Sequence, residues 1–151
     1  MFKAFLVQLS KVLDFENLQP DKNGVCLISF TKKKIQMLIE YDESLISNKV
    51  LISSAVLYFP IDQRQQVYQY CLKTNHKIEA SISIKPDEDI LYLHQRIAPT
   101  IHATELKLII DSFLETIKMI ENDLTKLFKT SRKDHQVSSP SSLIQPFPYK
   151  A

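Results

Sequence analysis

The sequence predicts an α+β domain in which one antiparallel sheet packs against helices. The first observation is the order of the periodic segments: α-β-β-β-α-β-β-α. The second is the length of the links between the first three strands, which are too short for the crossovers that parallel strands need. The third is a single glycine in 151 residues, which excludes the glycine-rich phosphate loops of nucleotide-binding α/β domains.

Four elements make up the first half of the chain. Helix one is predicted over 2–13, where apolar residues recur at helical spacing, and a turn at 20–24 follows. Strands are predicted at 25–30, 35–41 and 49–59, where β-branched and alternating apolar residues cluster. Lys32–Lys34 form a charged tip between the first two strands. The short links make these strands an antiparallel meander.

The second half begins at Pro60, which ends the third strand. Asp62 and Gln65 resemble a capping box for a second helix that ends near Asn75. Two further strands are predicted at 78–85 and 90–97. Thr104 is predicted to cap a last helix that ends at Phe128 and carries a heptad stripe of apolar residues. The stripe is wider than a strict two-position seam, which favours packing across the sheet over a coiled coil.

Composition indicates one domain, at 1–128, followed by a tail at 129–151. A chain of 151 residues with 44% hydrophobic residues has enough apolar material for one core. The tail is rich in proline and serine, so we expect it to be flexible, although its few apolar residues leave docking on the body or on a partner open.

The basic charge of the chain belongs to the tail. The formal net charge is +2, and the tail carries four basic residues against one acidic residue. The body is therefore nearly neutral, which makes nucleic acid an unlikely partner. No apolar run reaches the length of a membrane span, and the first residues lack the pattern of a signal peptide. We therefore expect a cytoplasmic protein.

No motif points to catalysis, a metal or a cofactor. The two cysteines, Cys26 and Cys71, are unclustered and lie among apolar residues, which is typical of buried small hydrophobes. The histidines form no HExxH motif, and His94 and His102 have only Glu105 as a near carboxylate. We expect no enzyme activity, no bound metal and no cofactor.

The strands contain more apolar residues than a one-sided sheet needs. Met37 and Ile39 share one face of the second strand, and Leu38 lies on the other. Strands that are apolar on both faces need cover on both sides, and the helices supply only part of it. The remainder predicts a partner subunit, a bound peptide or both.

Over residues 2–128 the chain resembles the class I type III secretion chaperones of the CesT/Tir-chaperone family. An amphipathic first helix precedes the pattern at 21–28 (DKNGVCLI), and Phe59-Pro60 leads into a helix that ends with 70–75 (YCLKTN). The last strand pair closes with 91–96 (LYLHQR) before the long final helix. Family members are usually acidic and have glycines near the fourth strand, and this chain departs from both patterns.

The resemblance implies a homodimer in the bacterial cytoplasm, without ATPase activity, that serves virulence by binding secreted effector proteins. The N-terminal segment of the effector would bind in extended form, add a strand to the sheet and stay soluble until secretion. A contact with the secretion ATPase is left open. The cargo-binding residues implied are Phe2, Phe5, Leu9, Leu27, Met37 and Ile39. The dimer-interface residues implied are Val67, Tyr68, Cys71, Ile78, Ala80 and Ile82.

Two alternative functions remain open at this stage. One is a regulatory or nucleic-acid-associated module that uses Lys32–Lys34 and the basic tail, which strong salt dependence of binding would favour. The other is a structural subunit of a hetero-oligomer, with the heptad stripe of the last helix as its seam.

Overall fold

The computed structural model describes residues 1–42, 48–85 and 87–137. The described part forms three α-helices and a five-stranded antiparallel sheet. The helices are α1 (Phe2–Leu13), α2 (Arg64–Thr74) and α3 (Ala103–Val137). The strands are β1 (Val25–Phe30), β2 (Ile35–Asp42), β3 (Lys49–Tyr58), β4 (Ser81–Lys85) and β5 (Ile90–Ile97). The predicted α+β class and the order of the elements are confirmed.

The strand order in the sheet is β1-β2-β3-β5-β4, and every neighbouring pair is antiparallel. The predicted meander of the first three strands is therefore correct. The last two strands form a hairpin that places β5 against β3, so that β1 and β4 are the two edge strands. The edges matter here because an unpaired strand edge is where another polypeptide can join a sheet.

One hydrophobic core lies between the helices and one face of the sheet. The α3 helix contacts both α1 and α2. The Gln8 side-chain amide donates to the Ile101 carbonyl oxygen (2.6 Å), and the Tyr70 hydroxyl donates to Asp123 (2.9 Å). The apolar stripe of α3 is buried in this core, as packing across the sheet requires, at Leu106, Ile110, Phe113, Ile117, Ile120 and Leu124.

The second helix and the fourth strand begin differently from the prediction. A 3-10 turn at Ile61–Gln63 leads into α2, and no side chain caps the helix, so the predicted capping box at Asp62 is wrong. The β4 strand begins at Ser81 instead of Ile78, because pairing with β5 starts there and the chain bends at Glu79 and Ala80. Asn75 ends α2 as predicted.

The last helix is longer than predicted at both ends. It begins at Ala103, so Thr104 lies inside its first turn, and it continues to Val137 instead of ending at Phe128. The extension is tied to α2, because the buried Ser131 hydroxyl contacts the side-chain oxygen of Gln66 at 2.8 Å. The rest of the predicted tail, at 138–151, lies outside the described residues, as do 43–47 and residue 86.

Candidate binding surfaces

Four of the six residues expected to bind cargo lie in the core. Phe5, Leu9, Met37 and Ile39 are each at most 1% exposed. In this structure these four side chains offer no surface to a partner, so the binding surface described below rests on other residues. An aspartate at Phe5 or Met37 would be a buried, unpaired carboxylate, so it would disrupt the fold instead of testing a binding surface.

Leu27 and Phe2, the other two, lie at the surface around β1. Leu27 is 55% exposed on the sheet face that the helices leave uncovered, and it pairs with Leu38 across the ladder. Phe2 stacks on Tyr41 with ring centroids 5.7 Å apart. Phe2 and Tyr41 line a cavity of about 540 Å³ at the start of β1, together with Asn23, Gly24, Val25 and Glu40.

The outer edge of β1 is open at two residues. The Val25 amide donates to the Asp21 carboxylate (3.0 Å), and the Asp21 amide donates to the Val25 carbonyl oxygen (2.8 Å). Alternate residues of an antiparallel edge strand point the same way, so the backbone groups of Leu27 and Ser29 also face outward. Within the described residues these groups have no hydrogen-bond partner. We call the outward backbone groups of Leu27 and Ser29 the β1 edge.

The opposite edge of the sheet is partly closed by a side chain. The Ile82 amide donates to the side-chain oxygen of Asn75 (2.7 Å), and the Asn75 side-chain amide donates to the Ile82 carbonyl oxygen (3.2 Å). Both outward backbone groups of Ile82 are thus occupied, whereas those of Ile84, the next residue that points outward, have no hydrogen-bond partner within the described residues. Addition of another strand is therefore favoured at β1, where two residues are open, over β4, where one is.

A second cavity, of about 520 Å³, lies at the far end of β1. Its apolar walls include Phe15 and Phe30, whose rings pack edge to face at 5.9 Å and 89°. We call it the hairpin cavity, and its lining residues are Leu13, Asp14, Phe15, Ser29, Phe30, Thr31, Lys32 and Lys33. A cavity therefore lies at each end of the β1 edge.

The residues expected at a dimer interface divide in the same way. Val67, Cys71, Ala80 and Ile82 are each at most 7% exposed, and Ile78 is half-buried. Val67 and Ala80 belong to the core. In this structure they offer no surface to a second copy, so a dimer interface here would use more exposed residues of α2.

Tyr68 stands at the surface, 41% exposed, beside an apolar groove of about 370 Å³ between α2 and β4. We call it the α2–β4 groove, and its lining residues are Tyr68, Cys71, Leu72, Asn75, Ile82 and Ile84. Leu72 is 69% exposed, and the prediction missed it because its helical spacing resembles that of the core residues. In the sequence, Leu72 differs from the core residues only in lying one turn after Tyr68, on the more exposed side of α2.

One hydroxyl and one imidazole among the described residues are in contact. The Ser83 hydroxyl contacts His94 Nε2 at 2.6 Å, but no carboxylate is hydrogen-bonded to the other ring nitrogen within the described part. A nucleophile and base without an orienting third group lack the usual arrangement for catalysis. Burial raises the pKa of Cys71 to about 11, so its thiol stays protonated. The described residues contain no cluster of three groups that could hold a metal ion.

An open strand edge, cavities at both its ends and a separate apolar groove define a protein that binds other polypeptides. Residues 4–120 match the profile of the Tir chaperone protein (CesT) family, and the chain belongs to that family. The resemblance read from the sequence is thereby confirmed.

Two solved structures share the fold. One, the HopA1–SchA chaperone–effector complex, has a chain that is 15% identical, with a TM-score of 0.65 over 80% of this chain and 93% of that chain. The other, the ExsC–ExsE complex, has a chain that is 10% identical, with a TM-score of 0.64 over 80% of this chain and 91% of that chain. Comparison with curated proteins found no match. No helix in the described part is long and apolar enough to cross a bilayer.

Proposed function

We propose that this protein is a type III secretion chaperone that binds the N-terminal segment of one or more effector proteins in extended form. The bound segment would remain soluble and competent for secretion in the bacterial cytoplasm. The observation that carries the proposal is the β1 edge, which is open at Leu27 and Ser29, whereas Asn75 occupies the outward backbone groups of Ile82 on the β4 edge. Membership of the chaperone family supports the same function.

The proposed binding mode is addition of a cargo strand to β1. Main-chain hydrogen bonds to Leu27 and Ser29 would give affinity without demanding a fixed cargo sequence. The exposed Leu27 side chain, with Leu38 beside it, would contact apolar cargo residues on the uncovered sheet face. A strand rises about 3.3 Å per residue, so roughly six cargo residues would reach from the cavity at Phe2 to the hairpin cavity.

We further propose that two copies of the chain form a homodimer through the α2–β4 groove. Leu72 and Tyr68 expose apolar surface there, and Ile61, in the turn before α2, adds a third side chain that is 69% exposed. A patch of this kind on a folded domain is typical of a protein interface. The proposed role needs no catalytic residue and no cofactor. Contact with a secretion ATPase is proposed from the family resemblance alone.

Substitution of Leu27 by aspartate tests the cargo site. The side chain is more than half exposed, so we expect the fold to persist, as circular dichroism would show. Wild-type protein should capture a few secreted proteins from its native cytosol through their N-terminal segments, and Leu27→Asp should lose them. Leu108→Asp is the matched control, because Leu108 is 65% exposed on the helical side of the molecule.

Each outcome of the capture experiment distinguishes between functions. The washes use high salt, because contacts to phosphate weaken steeply with salt whereas apolar and main-chain contacts persist. Retention of cargo by Leu27→Asp would contradict the proposed site. Loss of every captured protein in the salt wash, or recovery of nucleic-acid machinery in place of effectors, would favour the alternative regulatory module.

A further inference from the structure

The hairpin cavity combines an apolar interior with a cationic rim. Phe15 and Phe30 form its apolar walls together with Leu13, and all three side chains are only partly buried. A space of about 520 Å³ is large enough for a bulky side chain. Lys32 and Lys33 stand at its mouth and are fully solvent-facing.

The rim carries a positive charge that the described residues leave unbalanced. Lys32, Lys33 and Lys34 lie in one tight turn, which is closed by hydrogen bonds from the Lys33 amide to Phe30 (3.0 Å) and from the Lys34 amide to Thr31 (3.3 Å). None of the three lysines forms an ion pair with a described residue. Asp14 is the one acidic residue in the lining, so the rim remains positive. Acidic groups on a partner would complement it.

We propose that the hairpin cavity accepts a bulky apolar side chain of the cargo that is flanked by acidic residues. This inference rests on the proposed chaperone function, because it takes the cargo to run along β1. Ser29 belongs to the β1 edge and also lines the cavity, so a strand added at that edge continues directly into it. The cavity thereby selects cargo by charge, which the main-chain contacts at Leu27 and Ser29 cannot do.

Charge favours an acidic partner over the 138–151 segment of this chain as the occupant. That segment includes Leu143 and Phe147, but it has Lys150 and no acidic side chain that could pair with the lysine rim. A segment with acidic side chains would therefore complement the rim better. An acidic segment of another protein fits both the walls and the rim.

A peptide titration followed by nuclear magnetic resonance tests the inference on the full chain. The probe is a blocked pentapeptide with phenylalanine between two pairs of glutamates. We expect it to shift the amide signals of Phe15, Ser29 and Thr31. Replacement of its phenylalanine by alanine, or of its glutamates by lysine, should weaken binding at least about tenfold. No shift at millimolar probe, or equal shifts with the lysine peptide, would overturn the inference.

A pair of charge-reversal variants provides the matched control. Lys32→Glu with Lys33→Glu should weaken the acidic peptide about tenfold or more. Lys126→Glu with Lys129→Glu makes the same change in charge on exposed positions of α3 and should leave binding unchanged. If both pairs weaken binding equally, the effect is one of net charge and the inference fails. A single-stranded oligothymidylate that shifts these signals more strongly than the acidic peptide would also overturn it.

Cargo identified by capture separates this inference from the function on which it rests. If the chaperone function is wrong, the capture experiment recovers no effector, whatever the peptide does. If cargo is recovered and binds the Lys32→Glu, Lys33→Glu variant as tightly as wild type, the chaperone function stands and this inference is overturned. At least about a tenfold loss in that variant supports it.

Discussion

Replacement of Asn75 by alanine removes the side chain that closes the β4 edge at Ile82. Two hydrogen bonds join Asn75 to the backbone of Ile82, at 2.7 and 3.2 Å. They are also the direct link between the end of α2 and β4. The change should therefore loosen α2 from the sheet and leave the Ile82 amide and carbonyl without protein partners.

The expected loss in the free energy of unfolding follows from these two bonds. Each contributes roughly 0.5–1.5 kcal/mol net, which bounds the loss at about 1–3 kcal/mol. Water can reach an edge strand and replace part of what is lost, so we expect about 1–2 kcal/mol. Asn75→Asp keeps the acceptor for the Ile82 amide and loses the donor, so its loss should lie between those of wild type and Asn75→Ala.

Urea denaturation followed by circular dichroism measures this loss. All variants are compared at one protein concentration, because dimerisation would make the midpoint concentration-dependent. Lys73→Ala, on an exposed side chain two residues earlier in α2, is the control and should unfold like wild type. If Asn75→Ala unfolds at the same urea concentration as Lys73→Ala, the reasoning about the closed edge is refuted.

Three further predictions concern assembly and pH. Leu72→Asp should convert the proposed homodimer to a monomer in light scattering, whereas Met119→Asp on α3 should not; a dimeric Leu72→Asp protein would contradict the groove interface. Burial of the imidazole lowers the pKa of His94 most, and the positive charge of Arg96 lowers it further, while the carboxylate of Glu40 raises it by less. His94 is therefore harder to protonate in the folded state than in the unfolded chain. The contribution of His94 to the stability of the fold should be full above pH 6.5 and should be lost as the pH drops from there through the pKa of His94 in the folded state. If a His94→Gln variant loses as much stability as wild type over this pH range, the assignment to His94 is contradicted. Burial of the phenol, followed by its hydrogen bond to Asp123, raises the pKa of Tyr70 from 10.0 to about 12. The unfolded chain loses this proton first, so the stability of the fold should fall as the pH rises between these values. Tyr70→Phe should remove the latest step of an ultraviolet titration of the tyrosines, and persistence of that step would exclude Tyr70 as its source.

The element order was predictable because periodicity reports local structure directly. The bounds of β1 and β5 agree with the prediction, since turn residues flank both strands. The start of β4 and the end of α3 were not predictable in this way. The start of β4 depends on where its pairing with β5 begins, at Ser81 with His94, and the extension of α3 is joined to α2 by the contact of Ser131 with Gln66. No local pattern contains these contacts between separate elements.

The candidate site was less predictable than the fold, because apolar patterns do not separate core from docking surface. Phe5 and Leu27 are both apolar positions in regular elements, yet one is 1% exposed and the other 55%. A signal for Leu27 was present, since it alternates with the buried Cys26 and Ile28 and must therefore face the other side of the sheet. The sequence does not show which face of the sheet the helices cover, because that is decided by the tertiary packing.

The central claim is that cargo joins the sheet at the β1 edge, and amide hydrogen exchange tests it most directly. Exchange is measured with and without the N-terminal segment of a captured effector. Strand addition predicts that the Leu27 and Ser29 amides slow by at least about tenfold, because each gains a main-chain partner. The Ile82 amide, which Asn75 already binds, should be unchanged. Unchanged exchange at Leu27 and Ser29 in a saturated complex would contradict the claim.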